Sequence, residues 1–367
     1  MNLSEQLKQR YTKDTVPASE AQRLAEFIVW GPIVFQASRL MVKFGILEII
    51  QDSKEGLTRA EVVDKTALSD YAVKCLLEAS LSIGLIILDM QTDRYSISKT
   101  GWFLLNDEAT RINLEFNHYV NYAGMFDLEK ALLEGRPAGL KHIGDWPTLY
   151  EGLSEFPDDI QRSWLAFDHF YSDGSFPEAL EIVFGKHKVS SLYDVGGNTG
   201  KWALKCVQHD KNVHVTVLDL PQQLKMMRES TCGKAGADRI TGYGINLLDK
   251  NAAFPKSNNA PDAIWMSQFL DCFSMEEITG ILSRAKEVMD ENTCLYIMET
   301  LWDRQKFEPA ALCLTMTSLY FTDIANGNSK MYNTEDISEC IENAGLGIES
   351  IHDQLGLGHS IIVCKTR

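Results

Sequence analysis

From residue 189 onward, short apolar runs alternate with helical stretches: "VSSLYDV", "HVTVLDL", "RITGYGI", "AIWMSQF" and "CLYIMET". This alternation predicts an α/β domain with a doubly wound parallel sheet. Its end departs from the rule. "GIESIHDQL" and "HSIIVCKTR" are joined by "GLG", which predicts that the sheet finishes in an antiparallel hairpin.

Ligands of an open α/β sheet bind at the carboxyl ends of the strands, near the switch in strand order. The turn "DVGGNTG", Asp194 to Gly200, follows the first strand of this sheet and opens a helix, "KWALKCV". Its glycines let a ligand approach the backbone closely. A second acid, Asp219, ends the next strand 19 residues beyond Gly200, where ribose hydroxyls are commonly held. A dinucleotide and S-adenosylmethionine (SAM) both suit such a turn. Three details favour SAM. The spacing is DxGGxxG with an acid before the first glycine, whereas a dinucleotide fingerprint is GxGxxG. That acid suits an ammonium group better than a pyrophosphate. The closing hairpin and the polar and apolar groups of "YGINLLD", after the third strand, fit the same reading. The rivals are a nicotinamide-dependent oxidoreductase and a tight turn that holds nothing.

Composition narrows the classes further. The chain has 367 residues, 45% hydrophobic, with a formal net charge of -16. Such a charge opposes a polyphosphate partner, so no nucleic acid is expected. No apolar run is long enough to span a membrane, and "MNLSEQLKQRYTKD" lacks a secretory segment. The eight cysteines are scattered without a CxxC pair. They read as buried thiols of a cytoplasmic protein, with no metal site.

Residues 20 to 105 form a different module. "FIVWGPIVFQASRLMVKFGILEII" is apolar at helical spacing and breaks at Gly45. Thr58 and Glu61 predict a capping box, a helix follows from Asp70 to about Ser82, and "LIILDMQTDRYSISKTG" predicts a hairpin. The order resembles a winged helix. From Leu57 to Gly84, however, three cations face four anions, so the module lacks the arginines and lysines of a DNA reader. Its apolar first helices are candidates for a homodimer interface. Between 106 and 185 the chain reads as helical and aromatic, with His118 and His169, a composition suited to lining a small-molecule cleft.

The ordered set "FGILEII", "AVKCLLEASLSIGLI", "DRYSISKTGWFLL", "YEGLSEFPDDIQRSWLAF", "LYDVGGNTG", "VLDLPQ" and "AGLGIESI" resembles the two-domain, SAM-dependent small-molecule O-methyltransferases, over nearly the whole chain. The family includes plant phenolic, acetylserotonin and bacterial polyketide-tailoring enzymes. The resemblance implies a winged-helix-like, helical dimerisation domain (1–105), a helical connector and substrate-pocket segment (106–185), and a Rossmann-like class I methyltransferase domain (186–367). It implies that Asp194, Gly196, Gly197, Asn198 and Gly200 cradle the methionine end of SAM, that Asp219 takes the ribose hydroxyls and that Leu220 packs on the adenine. Asn246 and Leu247 stand where the family has an aspartate for the adenine amine and its apolar neighbour. Ser267 replaces a usual lysine.

The catalytic positions diverge. The family's basic histidine in "LHDW" aligns with Asp271 in "LDCF", and its second glutamate, in "GKERT", aligns with Met331; only Glu299 is retained. Asp271 serves as a base only if burial raises its pKa. Alternatively it caps the helix "SMEEITGILSRAKEV", although Ser274 lies closer to that start. The expected activity is methyl transfer to an aromatic or polyketide-like hydroxyl. The alternative is a methyltransferase-fold protein that binds SAM without histidine-based catalysis, serving carbon, nitrogen or a ligand-binding role.

Overall fold

The computed structural model describes residues 3–153, 155–257 and 259–367. The chain divides into two compact units, Lys13–Tyr119 and a larger one made of residues 1–12 with Val120–Arg367.

The smaller unit is helical with one hairpin. Helices Ala18–Val29 and Gly31–Lys43 meet at Trp30, where Pro32 sits in the first turn of the second and has no amide hydrogen to lose. Gly45, at φ +69°, turns the chain into helix Ile46–Asp52. The capping box forms as the sequence predicts: Thr58 accepts from the Glu61 amide, and Glu61 from the Thr58 amide. Ser69 caps helix Asp70–Ile83. Strands β1 (Ile86–Asp89) and β2 (Arg94–Ile97) pair antiparallel. Met41, Ile46, Leu47, Val62, Val73, Leu77 and Ile86 form the core. Helices Lys99–Asn106 and Glu108–Phe116 complete the unit. Phe27, Ile28, Val29, Trp30 and Ile33 remain exposed, Val29 by 73%, a contiguous apolar run of the kind that marks an interaction surface.

The larger unit is built on a seven-stranded sheet. Its strands are β3 (Ser191–Val195), β4 (His214–Asp219), β5 (Ile240–Gly244), β6 (Ala263–Ser267), β7 (Cys294–Glu299), β8 (Leu346–Leu355) and β9 (His359–Thr366). They lie in the order β5-β4-β3-β6-β7-β9-β8. β3 to β7 are parallel, and β9 enters antiparallel between β7 and β8. Alternate residues feed two cores. Val195, Leu218, Ile264, Met266 and Ile297 pack on one face, and Leu192, Val217, Trp265, Tyr296 and Met298 on the other. Burial on both faces explains why these strands read as continuous apolar runs. The chain first winds outward from β3 to β5, then returns to the opposite side of β3 with β6. The switch point therefore lies between the carboxyl ends of β3 and β6, where Asp194 pairs in register with Trp265.

Candidate active site at the switch point

Two adjoining cavities open at that switch point. The larger, ≈ 440 Å³, is lined by Asp219, Leu220, Asn246, Leu247, Phe269 and Cys272, among others. The smaller, ≈ 100 Å³, is lined by Asp194, Gly197, Thr199, Lys201, Ser267 and their neighbours. Asp168, Gly196, Asn198 and Gln268 line both, so these four mark the junction.

The glycine turn is shaped by what surrounds it. Gly196 has φ +71°, and a Cβ there would lie 2.3 Å from the Phe269 ring. A Cβ on Gly197 would lie 2.5 Å from Asp194 Oδ2. Gly200, at φ +75°, is the N-cap of helix Lys201–His209. Asn198 takes a left-handed conformation, φ +49°, which asparagine tolerates better than most residues. Its amide donates to Asp219 Oδ2 at 2.9 Å, while the Leu220 amide donates to Asp219 Oδ1 at 2.7 Å. The carboxylate of Asp219 is thus fixed by two backbone donors, leaving lone pairs on both oxygens. Burial nevertheless raises its pKa to about 6. Asp194 is raised to about 8, by burial first and then by the charge of Asp219. Its buried Oδ2 has no hydrogen-bond partner. A buried acceptor of this kind calls for a donor. An ammonium group beside the glycines satisfies it, and a cradle too tight for Cβ atoms fits a bound backbone-like chain.

Asn246 lines the larger cavity, and its Oδ1 also accepts the Leu248 amide at 3.0 Å, holding the loop after β5. Leu247 is buried against the sheet core. Sequence reasoning singled out Ser267 here and missed its neighbour Gln268, whose positive φ only the folded chain reveals.

The loop after β6 is held from several directions. Glu299 lines neither cavity. Its Oε1 accepts the amides of Phe269 and Leu270, at 3.1 and 2.9 Å. Asn326 donates to the Cys272 carbonyl, and the Tyr332 hydroxyl to the Phe273 carbonyl. Ser274, not Asp271, caps helix Met275–Lys286 through a capping box with Glu277. Asp271 is therefore released from a capping duty. It is buried behind Cys272, whose thiol donates to its Oδ1 at 3.5 Å. Burial raises its pKa to about 7, with Asp168 adding a repulsive charge. Burial also holds Glu299 well above the usual carboxylate range, again with a neighbouring acid, Asp271, contributing. Met331 is buried.

Of the aromatic connector, Tyr150 and Trp164 line the larger cavity. The Trp164 indole donates to the Tyr320 hydroxyl at 2.9 Å. His169 lines the smaller cavity with its Nε2 4.0 Å from the Asp168 carboxylate. His118 belongs to the smaller unit, where its Nδ1 lies 3.4 Å from the Gln36 amide nitrogen.

A strand-order switch, an acid-bearing glycine turn and a second acid after the next strand mark this as the candidate ligand site of an open α/β sheet. Comparison with known proteins makes this specific. Residues 178–347 match the O-methyltransferase domain model, and residues 22–95 match a dimerisation2-like domain. The chain thus carries an O-methyltransferase domain and a dimerisation2-like domain. Norreticuline-7-O-methyltransferase of Papaver somniferum is 27% identical over 197 residues, 53% of this chain and 45% of that protein. The bacteriochlorophyllide d C-20 methyltransferase of Chlorobaculum tepidum is 22% identical over 42% of this chain and 44% of its own length. The chain thus spans about half the length of the curated relatives it matches. The mitomycin 7-O-methyltransferase MmcR shares the fold at TM-score 0.69 and 16% identity, covering 95% of this chain and 98% of its own. Human N-acetylserotonin methyltransferase shares it at TM-score 0.65 and 15% identity, covering 97% and 99%. Among the described residues no helix is long and apolar enough to cross a membrane.

Proposed function

We propose that the protein transfers the methyl group of SAM to a small molecule, most directly to a hydroxyl of an aromatic or polyketide-like acceptor. The observation that carries the reading is the Asp219 carboxylate, presented to the larger cavity by the Asn198 and Leu220 amides. In this reading Asp219 takes both ribose hydroxyls, and Leu220, Leu247 and Asn246 border the adenine. Asp194 and the turn Gly196–Gly200 receive the methionine end, with Ser267 on the wall of the same cavity. When bound, SAM supplies an electrophilic methyl carbon on a sulfonium.

The chain's contribution to the reaction is positioning and proton removal. In-line alignment alone supplies several kcal/mol. Tyr150 and Trp164 give an acceptor ring apolar faces. Asp271 is the proton acceptor, reached through the Cys272 thiol that donates to it. A carboxyl poised near 7 is far better matched to neutral pH than one near 4. Glu299 acts through the loop it holds. The N-terminal domain (residues 1–105) serves homodimerisation through its exposed apolar run, and the aromatic connector segment that holds Tyr150 and Trp164 completes the acceptor pocket of the 186–367 domain. We place the protein in the cytoplasm, without nucleic acid or membrane partners.

Two observations favour a second reading. Asp271 stands in the place of the family's histidine yet lines neither cavity, and a relative acts on a carbon centre. Carbon or nitrogen acceptors, or ligand binding without transfer, follow if no strong base is in play. The test is incubation with methyl-labelled SAM and a panel of phenols, polyketides, amines and activated carbon acids. Label in a phenolic product, with the rate rising through pH 7 and that limb lost in Asp271→Asn, supports the first reading. Transfer only to carbon or nitrogen favours the second, and failure to bind S-adenosylhomocysteine overturns both.

A further inference from the structure

Gln268 carries a conjunction that the cofactor reading above does not use. Its backbone is left-handed, φ +44°, a conformation that a residue with a long side chain rarely adopts. The chain on both sides enforces it. The Gln268 amide donates to the Met298 carbonyl at 2.9 Å, and the next two amides are held by Glu299. Strain imposed in this way clusters at functional sites. What it achieves here is placement: the side chain lies at the junction, on the wall of both cavities. Its Oε1 is buried without a hydrogen-bond partner.

The surroundings select the donor. Asp168 borders the same junction, and the orphaned Asp194 Oδ2 lines the adjoining cavity. These are acceptors. The cation among the lining residues, Lys201, lies in the smaller cavity with Thr199, suited to a carboxylate. A ligand with an ammonium near the junction and a carboxylate deeper in matches this pattern. An ammonium has three N–H donors, more than one carboxylate oxygen satisfies. A further carboxylate would add repulsion where the charge of Asp219 already disfavours the ionisation of Asp194; an amide oxygen accepts without charge.

We propose that Gln268 is a cofactor-recognition residue whose amide oxygen accepts a hydrogen bond from the α-ammonium of the methionine end, at the junction beside Asp168. The assignment rests on the SAM reading and names a contact within it. Titration calorimetry with two probes tests it: S-adenosylhomocysteine, and 5′-methylthioadenosine, which keeps the adenosine and thioether but lacks the amino-acid tail. Gln268→Leu should weaken the first about tenfold, the effect of one hydrogen bond to a charged group, and leave the second unchanged. Gln268→Glu keeps an acceptor oxygen but adds a charge beside the other acids, so it should bind the first less tightly than wild type yet more tightly than the Leu variant. Gln268→Gly adopts the left-handed backbone freely; it should melt no lower than wild type yet show the same selective loss. Equal losses for both probes, no loss for either, or a Glu variant as weak as the Leu variant would each overturn the assignment. Wild-type protein that fails to bind S-adenosylhomocysteine would instead overturn the cofactor reading and the assignment with it.

Discussion

Replacing Asp219 with alanine separates ligand binding from folding. The carboxylate accepts two backbone amides, at 2.9 and 2.7 Å, and burial has moved its pKa from 3.8 to about 6. A displacement of that size means that holding the ionised form in the folded protein costs about 3 kcal/mol at neutral pH. Removing the group gives up its hydrogen bonds but also relieves that penalty, so the two effects largely cancel and the melting temperature should move little. Binding has no such compensation. Loss of two charge-assisted contacts to ribose hydroxyls should weaken S-adenosylhomocysteine by about 3 kcal/mol or more, a factor of about 150. The pH dependence sharpens the test, because the wild-type affinity should decline below pH 6 as Asp219 takes up a proton, while Asp219→Ala should lack that decline. Titration calorimetry from pH 5 to 8, beside thermal melts of the unliganded proteins, reads both quantities. An alanine variant that binds within threefold of wild type would refute the assignment of Asp219 to the ribose.

Asp194, neutral below about pH 8 in the unliganded protein, should ionise when an ammonium binds beside it, so binding at pH 7 should release up to about one proton. Calorimetry in two buffers of different ionisation heat measures this, and a heat independent of buffer would argue against the pairing. Glu299→Ala strands the Phe269 and Leu270 amides and should cost about 2–3 kcal/mol in a denaturant melt, whereas Glu299→Gln retains the acceptor. Equal losses in both would show that the charge matters rather than the hydrogen bonds. His359, fully buried and accepting or donating at Ser175 Oγ, is lowered to about 4 by burial. The unfolded chain takes its proton near 6.5, so this stabilisation is complete above pH 6.5 and is lost as pH falls toward 4. Relative to His359→Gln, wild type should lose about 2 kcal/mol between pH 7 and 5. A difference between the two proteins that does not change with pH would refute this.

Much of this architecture was legible before folding, because it rests on local rules. Alternating runs of β-branched residues announced the parallel strands, Thr58 with Glu61 announced a helix start, and the glycines of Asp194–Gly200 announced a close approach to a ligand. Each depends on neighbours within a few positions, so the sequence carries it directly. The order β5-β4-β3-β6 and the position of the switch point depend on which strands pair across 70 residues, which periodicity does not carry. Tertiary structure alone decided the chemistry of the loop after β6. Ser274 and Asp271 compete for a cap in the sequence, and only packing gives the cap to Ser274 and buries Asp271 behind a thiol, with its pKa lifted to about 7. Glu299 reads as a retained acid, yet the fold turns its oxygen toward two amides. Gln268 carried no signal at all. Its left-handed backbone comes from hydrogen bonds to β7 and Glu299, residues about thirty positions away, and burial and long-range hydrogen bonding are properties that no short stretch of sequence contains.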